Sequence, residues 1–146
     1  MKTVIQRVTH CKLVVLGQLI SEIGNGLVVF FGVEKGDVKS SADYLADKIS
    51  KMRIFADEQG KMNLSVIDKG YEIMAVSQFT LCADCKAGNR PSFIGAELPE
   101  DANAMYEYFV GRLTACGVKV SKGVFGADMK IAQDNDGPVT ICLDKR

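Results

Sequence analysis

The sequence predicts a single α+β domain, a mainly antiparallel, barrel-like sheet carrying two principal helices. Its 146 residues suit one domain with one core. Short runs rich in β-branched residues, punctuated by turn signals, gather near both ends of the chain. Between them, two stretches place apolar residues at helical spacing. Strands, helix, strand, helix, strands is the order expected of an α+β chain.

The elements follow in turn. Thr3 to Thr9 is rich in β-branched residues, Cys11 to Leu16 is a second apolar run, and Leu19 to Ile23 follows the Gly17-Gln18 turn signal. Gly24-Asn25-Gly26 interrupts the chain before Leu27 to Val33, a continuous apolar run that suits a strand buried on both faces. Ser40, with Asp43 three places on, reads as a variant capping box. Ala42, Leu45, Ala46, Ile49 and Met52 then form a helical stripe. Lys48, Lys51 and Arg53 flank that stripe, either as a solvated face or as an RNA contact. Asp57 to Lys61 is a turn, and Tyr71 to Leu81 returns as a strand.

Residues 82–98 have no clear periodicity and hold Gly88, Asn89, Pro91 and Gly95, the composition of a functional loop, with Lys86 and Arg90 making it locally basic. Pro99, Glu100 and Asp101 suit the first turn of a second helix. Its stripe is Ala102, Met105, Tyr106, Phe109 and Leu113, and Gly117 is its stop. Val118 to Val120, Lys130 to Ala132 and Val139 to Leu143 supply the last strands.

Composition narrows the function classes. Hydrophobic residues make up 47% and charged residues 25%, enough apolar surface for a globular core rather than a disordered chain. Eighteen basic residues balance eighteen acidic ones, so any nucleic-acid contact would rest on a local patch rather than on net charge. Met1 to Arg7 lacks the apolar stretch and cleavage site of a signal peptide, and no apolar run approaches the ~18 residues a membrane span needs. A cytoplasmic address without membrane contact is expected. Five cysteines, an odd number, argue for reduced thiols over a disulfide framework. Cys82 and Cys85 form a CxxC with no second ligand pair at zinc spacing, and His10 is the only histidine. Neither a metal nor another cofactor is expected.

Several reaction classes lack their residues. The chain has no GxSxG elbow, no Walker loop, no HExxH and no GxGxxG after a strand. What stands out is Ser77-Gln78-Phe79-Thr80-Leu81, where polar residues end an apolar run. Two readings fit it: ordinary polarity at a strand end, or a turn that presents backbone N–H groups as an oxyanion hole. Thr80 would then position a water or a substrate hydroxyl. Gly137-Pro138 also has two readings. It is a common turn signal, or it is a cis bond, cheap only before proline, that aims two adjacent carbonyls at a ligand.

In these residues the chain resembles the D-aminoacyl-tRNA deacylases. The resemblance runs from Val4-Ile5-Gln6-Arg7-Val8 through Arg53-Ile54-Phe55, Gly60-Lys61-Met62-Asn63 and Ser77-Gln78-Phe79-Thr80-Leu81. It continues through Arg90-Pro91-Ser92-Phe93, Phe125-Gly126-Ala127-Asp128-Met129 and Asn135-Asp136-Gly137-Pro138-Val139-Thr140. Cys82 and Cys85 depart from the family's pattern. The resemblance implies hydrolysis of the ester joining a D-amino acid, or glycine as on mischarged tRNA-Ala, to the terminal adenosine of tRNA. It implies a homodimer with active sites at the interface. Gly137 and Pro138 would be a cis chirality filter entering the partner's pocket, with Arg7 holding it. Ser77, Gln78, Phe79 and Thr80 would line the catalytic site, backbone N–H groups near Phe79 and Thr80 facing the ester carbonyl. Phe125 would lie near the adenine and Met129 in the pocket wall. An activated ester needs little beyond positioning and an oxyanion hole, and the substrate's own 2′-hydroxyl can assist. Thr80 is left as positioning group or nucleophile. The alternative reading is a non-catalytic RNA or small-ligand binding module of the same fold.

Overall fold

A computed structural model describes residues 1–145. Strand β1 (Lys2–Val15) is the spine. Its first half pairs antiparallel with β3 (Gly26–Gly32) and its second half with β2 (Gln18–Ile23). Along its other edge runs β8 (Met129–Asp144), also antiparallel. The two runs expected at 3–9 and 11–16 are therefore one strand, and so are those expected at 130–132 and 139–143. In each case the β1–β8 ladder is formed on both sides of the polar break, with a register shift at the break itself.

The sheet is mixed rather than antiparallel throughout. β6 (Glu72–Ser77) lies parallel to β3, and β7 (Lys119–Lys122) lies parallel to β6. A parallel neighbour needs a crossover, and the helices supply it: α1 (Lys39–Lys51) lies between β3 and β6 in the chain, α2 (Pro99–Ala115) between β6 and β7. The sheet curls until its ends meet, where Ser21 Oγ on β2 donates to Lys122 O on β7 at 2.6 Å. A small hairpin of β4 (Phe55–Ala56) and β5 (Met62–Leu64) sits apart.

The core forms where the helices cover the sheet. Leu45 and Ile49 of α1 and Phe109 and Leu113 of α2 are fully buried against Leu27, Val29 and Ile73. Phe31 and Phe109 stack with ring centroids 4.2 Å apart, a contact worth about 0.5–1.5 kcal/mol beyond its area. The capping box expected at Ser40 does not form. The helix begins at Lys39 with Val38 as N-cap and no side-chain cap. Asp43 is engaged elsewhere: its Oδ1 accepts from Tyr108 Oη at 2.8 Å and pairs with Arg112 Nε at 2.8 Å, tying α1 to α2. Pro99 opens α2 as expected, and Gly117 follows its end at φ 91°. Among the described residues no helix is long and apolar enough to cross a membrane.

Candidate active site

Strand β6 ends at Ser77, four residues short of the expected end. Gln78 N still donates to Phe31 O at 2.8 Å, and the chain then tightens into a 3₁₀ turn over Phe79–Cys82. Gly32 makes this possible. A Cβ there would stand 2.8 Å from Gln78 O and 3.2 Å from Cys82 Sγ, so any larger residue would push the turn off β3. The Cys82 thiol is buried and donates to Val33 O at 3.4 Å, and burial pushes its pKa up. That makes Cys82 an anchor of the turn rather than a reactive thiolate. Cys85 is exposed, and both cysteines are free.

The turn borders a cavity of about 670 Å³. Ser77, Gln78 and Phe79 line it, as do Phe125 and Met129 from the segment leading into β8. Five of the nine residues singled out from the sequence thus converge on one hollow. Its walls also hold Phe93, Ile94, Leu98, Ala102 and Tyr106, which the sequence did not assign to a site. Phe93 ends the Arg90-Pro91-Ser92-Phe93 motif, and Ala102 and Tyr106 belong to a helical stripe. Nothing local told a cavity-lining stripe from a core one. Tyr106 Oη donates to Ala75 O at 2.9 Å, and burial raises its phenol pKa, so it stays protonated and holds α2 to β6. Phe79 packs edge-on against Phe93 at 5.0 Å yet is 57% exposed, and Ile94 is 80% exposed, giving the mouth an apolar rim.

Thr80 lies beside the cavity rather than in its wall, and its Oγ1 accepts from Gln78 Nε2. As the first residues of the turn, Phe79 and Thr80 carry N–H groups for which the turn itself has no acceptor. His10, on β1, pairs with Glu22 of β2 at 2.7 Å and lines neither cavity.

The second motif lies elsewhere. Gly137 and Pro138 are exposed on β8, and their peptide bond is cis. Arg7 grips the approach to them, its Nε 3.2 Å from Asp136 O and 3.0 Å from Asp136 Oδ2, while Nη1 donates to Ile54 O at 2.5 Å. Arg7 and Asp136 line a separate hollow of about 280 Å³ with Lys69 and Tyr71. Ile131 borders the large cavity, and Gly137 lies six residues further along the strand, on the order of 20 Å at ~3.3 Å per residue. Neither Gly137 nor Pro138 lines the large cavity of its own chain. Among the described residues no group of three or more His, Cys, Asp or Glu is gathered as a metal site.

Comparison with known proteins places this architecture. The family model described as D-Tyr-tRNA(Tyr) deacylase matches residues 4–144. The chain is 51% identical over 144 residues to a D-aminoacyl-tRNA deacylase of Geobacter sp. (strain M21), covering 99% of this chain and 97% of that one. It is 50% identical over 146 residues to the D-aminoacyl-tRNA deacylase of Desulforamulus reducens, covering 100% and 98%. Among solved structures, a c-Myc DNA unwinding element binding protein matches with TM-score 0.92 at 41% identity, over 100% of this chain and 99% of that one. A probable eukaryotic D-amino acid tRNA deacylase shares the fold at TM-score 0.84 and 17% identity, over 99% and 98%. With the family model matched over residues 4–144 and half of its residues identical to those of curated members, the chain belongs to the D-Tyr-tRNA(Tyr) deacylase family, a family of hydrolases.

Proposed function

We propose that this chain hydrolyses the ester bond of D-aminoacyl-tRNA, releasing the free D-amino acid and tRNA. The observation that carries the reading is the cavity bordered by Ser77, Gln78 and Phe79, with the unengaged N–H groups of Phe79 and Thr80 at its edge. Donors fixed by a turn that Gly32 and Cys82 hold in place can stabilise the oxyanion without reorganising. An aminoacyl ester is activated by its neighbouring ribose hydroxyl, so positioning supplies most of what remains. No strong side-chain base is needed. Phe125, partly buried beside Tyr106, offers an aromatic surface for the terminal adenine, and Met129 closes the wall next to it.

Selection rests on the other motif. Gly137 and Pro138 form the filter: their carbonyls reject an L side chain by clash, which separates mirror images better than attraction does. Glycine has nothing to clash, so glycyl-tRNA, as on mischarged tRNA-Ala, is admitted. Because this loop is exposed and far from its own chain's cavity, it acts in the cavity of a second copy. The protein works as a homodimer with each site completed across the interface. The apolar rim of Phe79, Ile94 and Leu98 suits such a contact.

Purified protein incubated with D-tyrosyl-tRNA and L-tyrosyl-tRNA tests the reaction. Preferential release of D-tyrosine is expected, and equal or absent release overturns the reading. Binding without turnover would favour the non-catalytic module instead. The shared site is tested by mixing a Gly137 variant with a Phe79 variant, each inactive alone. Random exchange of subunits should restore roughly a quarter of the activity, one intact site in half the dimers. No recovery after exchange would sink the composite site.

A further inference from the structure

Strand β8 leaves β1 for four residues and then returns. Thr140 pairs with Gln6 and Asn135 with Val8, so residues 136–139 stand opposite Arg7 alone. That raised segment contains Gly137 and Pro138. Its height and tilt are set at two feet, Asn135 where it rises and Thr140 where it returns.

The feet are joined by side chains. Gln133 Nε2 donates to Asn135 Oδ1 at 2.8 Å and to Gln6 Oε1 at 2.7 Å. Gln6 Nε2 donates onward to Thr140 Oγ1 at 3.2 Å. A line of amides thus runs from one foot to the other by way of β1. Most side-chain hydrogen bonds in proteins go to backbone or water, so three in series between side chains are unusual. The ladder does not need them, because backbone groups make it. Arg7 does a different job: it grips Asp136 on the rising limb and leaves the return limb free.

Gln133 Oε1 is buried, and no donor among the described residues reaches it. A buried acceptor without a partner is destabilising, and a leucine of similar size would avoid it. Gln133 instead commits one amide proton to the Asn135 foot and the other to Gln6.

We propose that Gln6 and Gln133 are positioning residues that clamp Asn135 to Thr140 and so hold the Gly137–Pro138 loop at the height at which it screens a substrate. This rests on the reading that the loop selects D-aminoacyl esters in a second copy's cavity. Rejection by clash depends on placement: a shift near 1 Å is enough to change rates by about a hundredfold, and functional groups must be held within ~0.5 Å.

The test uses Gln6→Leu, Gln133→Leu and the double variant in the full chain. Hydrogen exchange over residues 134–141 should quicken about tenfold or more in each, while exchange over 77–82 stays as in the parent. The ratio of D-tyrosine to L-tyrosine release from tRNA should fall about tenfold. The double variant should be no worse than either single one, because both cut the same chain of bonds. Unchanged exchange over 134–141, an unchanged D-to-L ratio, or effects that add would each overturn the proposal. The exchange arm needs no substrate. Should the parent show no D preference, the assigned reaction fails, and exchange alone decides the clamp. If Gln133→Leu does not fold, Gln6→Leu with Thr140→Val cuts the other end of the line and carries the same test.

Discussion

The cavity at the end of β6 and the loop on β8 are held in place by opposite means. The cavity is concave, and its walls are rooted in the core: Val76, Ala102 and Tyr106 border it and are buried. The loop is convex and exposed, and polar contacts hold it: Arg7 to Asp136, and the amide line from Asn135 to Thr140. Packing can aim groups inward, because close-packed neighbours leave them no room to move. It cannot aim a group that projects into solvent, and there hydrogen bonds must set direction. The two regions should therefore fail differently.

The largest effect is expected at Gly137. Its φ is +121°, which L side chains rarely adopt, and a Cβ there would meet Val139 Cγ2 at 3.0 Å, Val139 N at 3.1 Å and Arg7 Nη2 at 3.2 Å. Gly137→Ala must therefore displace the loop or its arginine tether. D-tyrosyl-tRNA hydrolysis should fall about a hundredfold or more, with the melting temperature lowered only slightly, since the loop buries little. A rate within threefold of the parent would break the contrast, because the convex element would then be dispensable.

A smaller loss is expected at Thr80. Its hydroxyl sits beside the cavity, paired with the Gln78 amide and with no base in contact. Removing one neutral hydrogen bond costs ~0.5–1.5 kcal/mol, so Thr80→Ala should slow turnover about tenfold. Single-turnover rates at saturating enzyme measure this directly. Complete loss in a folded variant would make the hydroxyl a nucleophile, and the concave region would no longer work through its backbone.

Acid should loosen the loop side through Asp68. This carboxylate accepts from Ser65 N and Ser65 Oγ, both at 2.8 Å, and these bonds hold its pKa below the usual carboxylate value. A lowered folded pKa contributes stability that is complete above the unfolded value, near pH 4, and is lost as pH falls through the folded one. The turn it secures leads into Lys69 and Tyr71, which border the hollow beneath Arg7 and Asp136. Asp68→Asn should flatten the decline in melting temperature below about pH 4 and leave neutral-pH activity nearly intact. An unchanged acid limb would remove Asp68 from the support of the loop.

How far the sequence showed each region follows from where its information lies. Gly137-Pro138 and the polar residues ending β6 are local signals, visible because glycine, proline and hydroxyl groups interrupt apolar runs. Arg7 needed the family resemblance. The cavity's Phe93, Leu98 and Tyr106 were not legible, because four separate stretches of chain converge there and each taken alone looks like core or loop. Gly32 was hidden too: its role is a close approach to Gln78 O, a contact across more than forty residues of chain. At Asp43 the local signal misled. Its spacing from Ser40 fits a cap, but Tyr108 and Arg112 draw the carboxylate to the other helix.

The smallest effect is expected at His10, and its smallness has a meaning. Histidine is the side chain most often used as a general base, and His10 is the only one in the chain. It stands on β1 with Nε2 2.7 Å from Glu22 Oε1 and Nδ1 4.0 Å from Asp134 Oδ2, and it does not line the large cavity. If catalysis divides between a concave backbone site and a convex filter, His10→Gln should leave D-tyrosyl-tRNA hydrolysis within twofold of the parent. An exposed ion pair contributes ~0–1 kcal/mol, so the variant should also fold normally. The pH–rate profiles of the two proteins should then superimpose, which measuring both decides. A limb that the variant removes would mean that a proton is moved by a group outside both regions, and the division between them would no longer describe the chemistry.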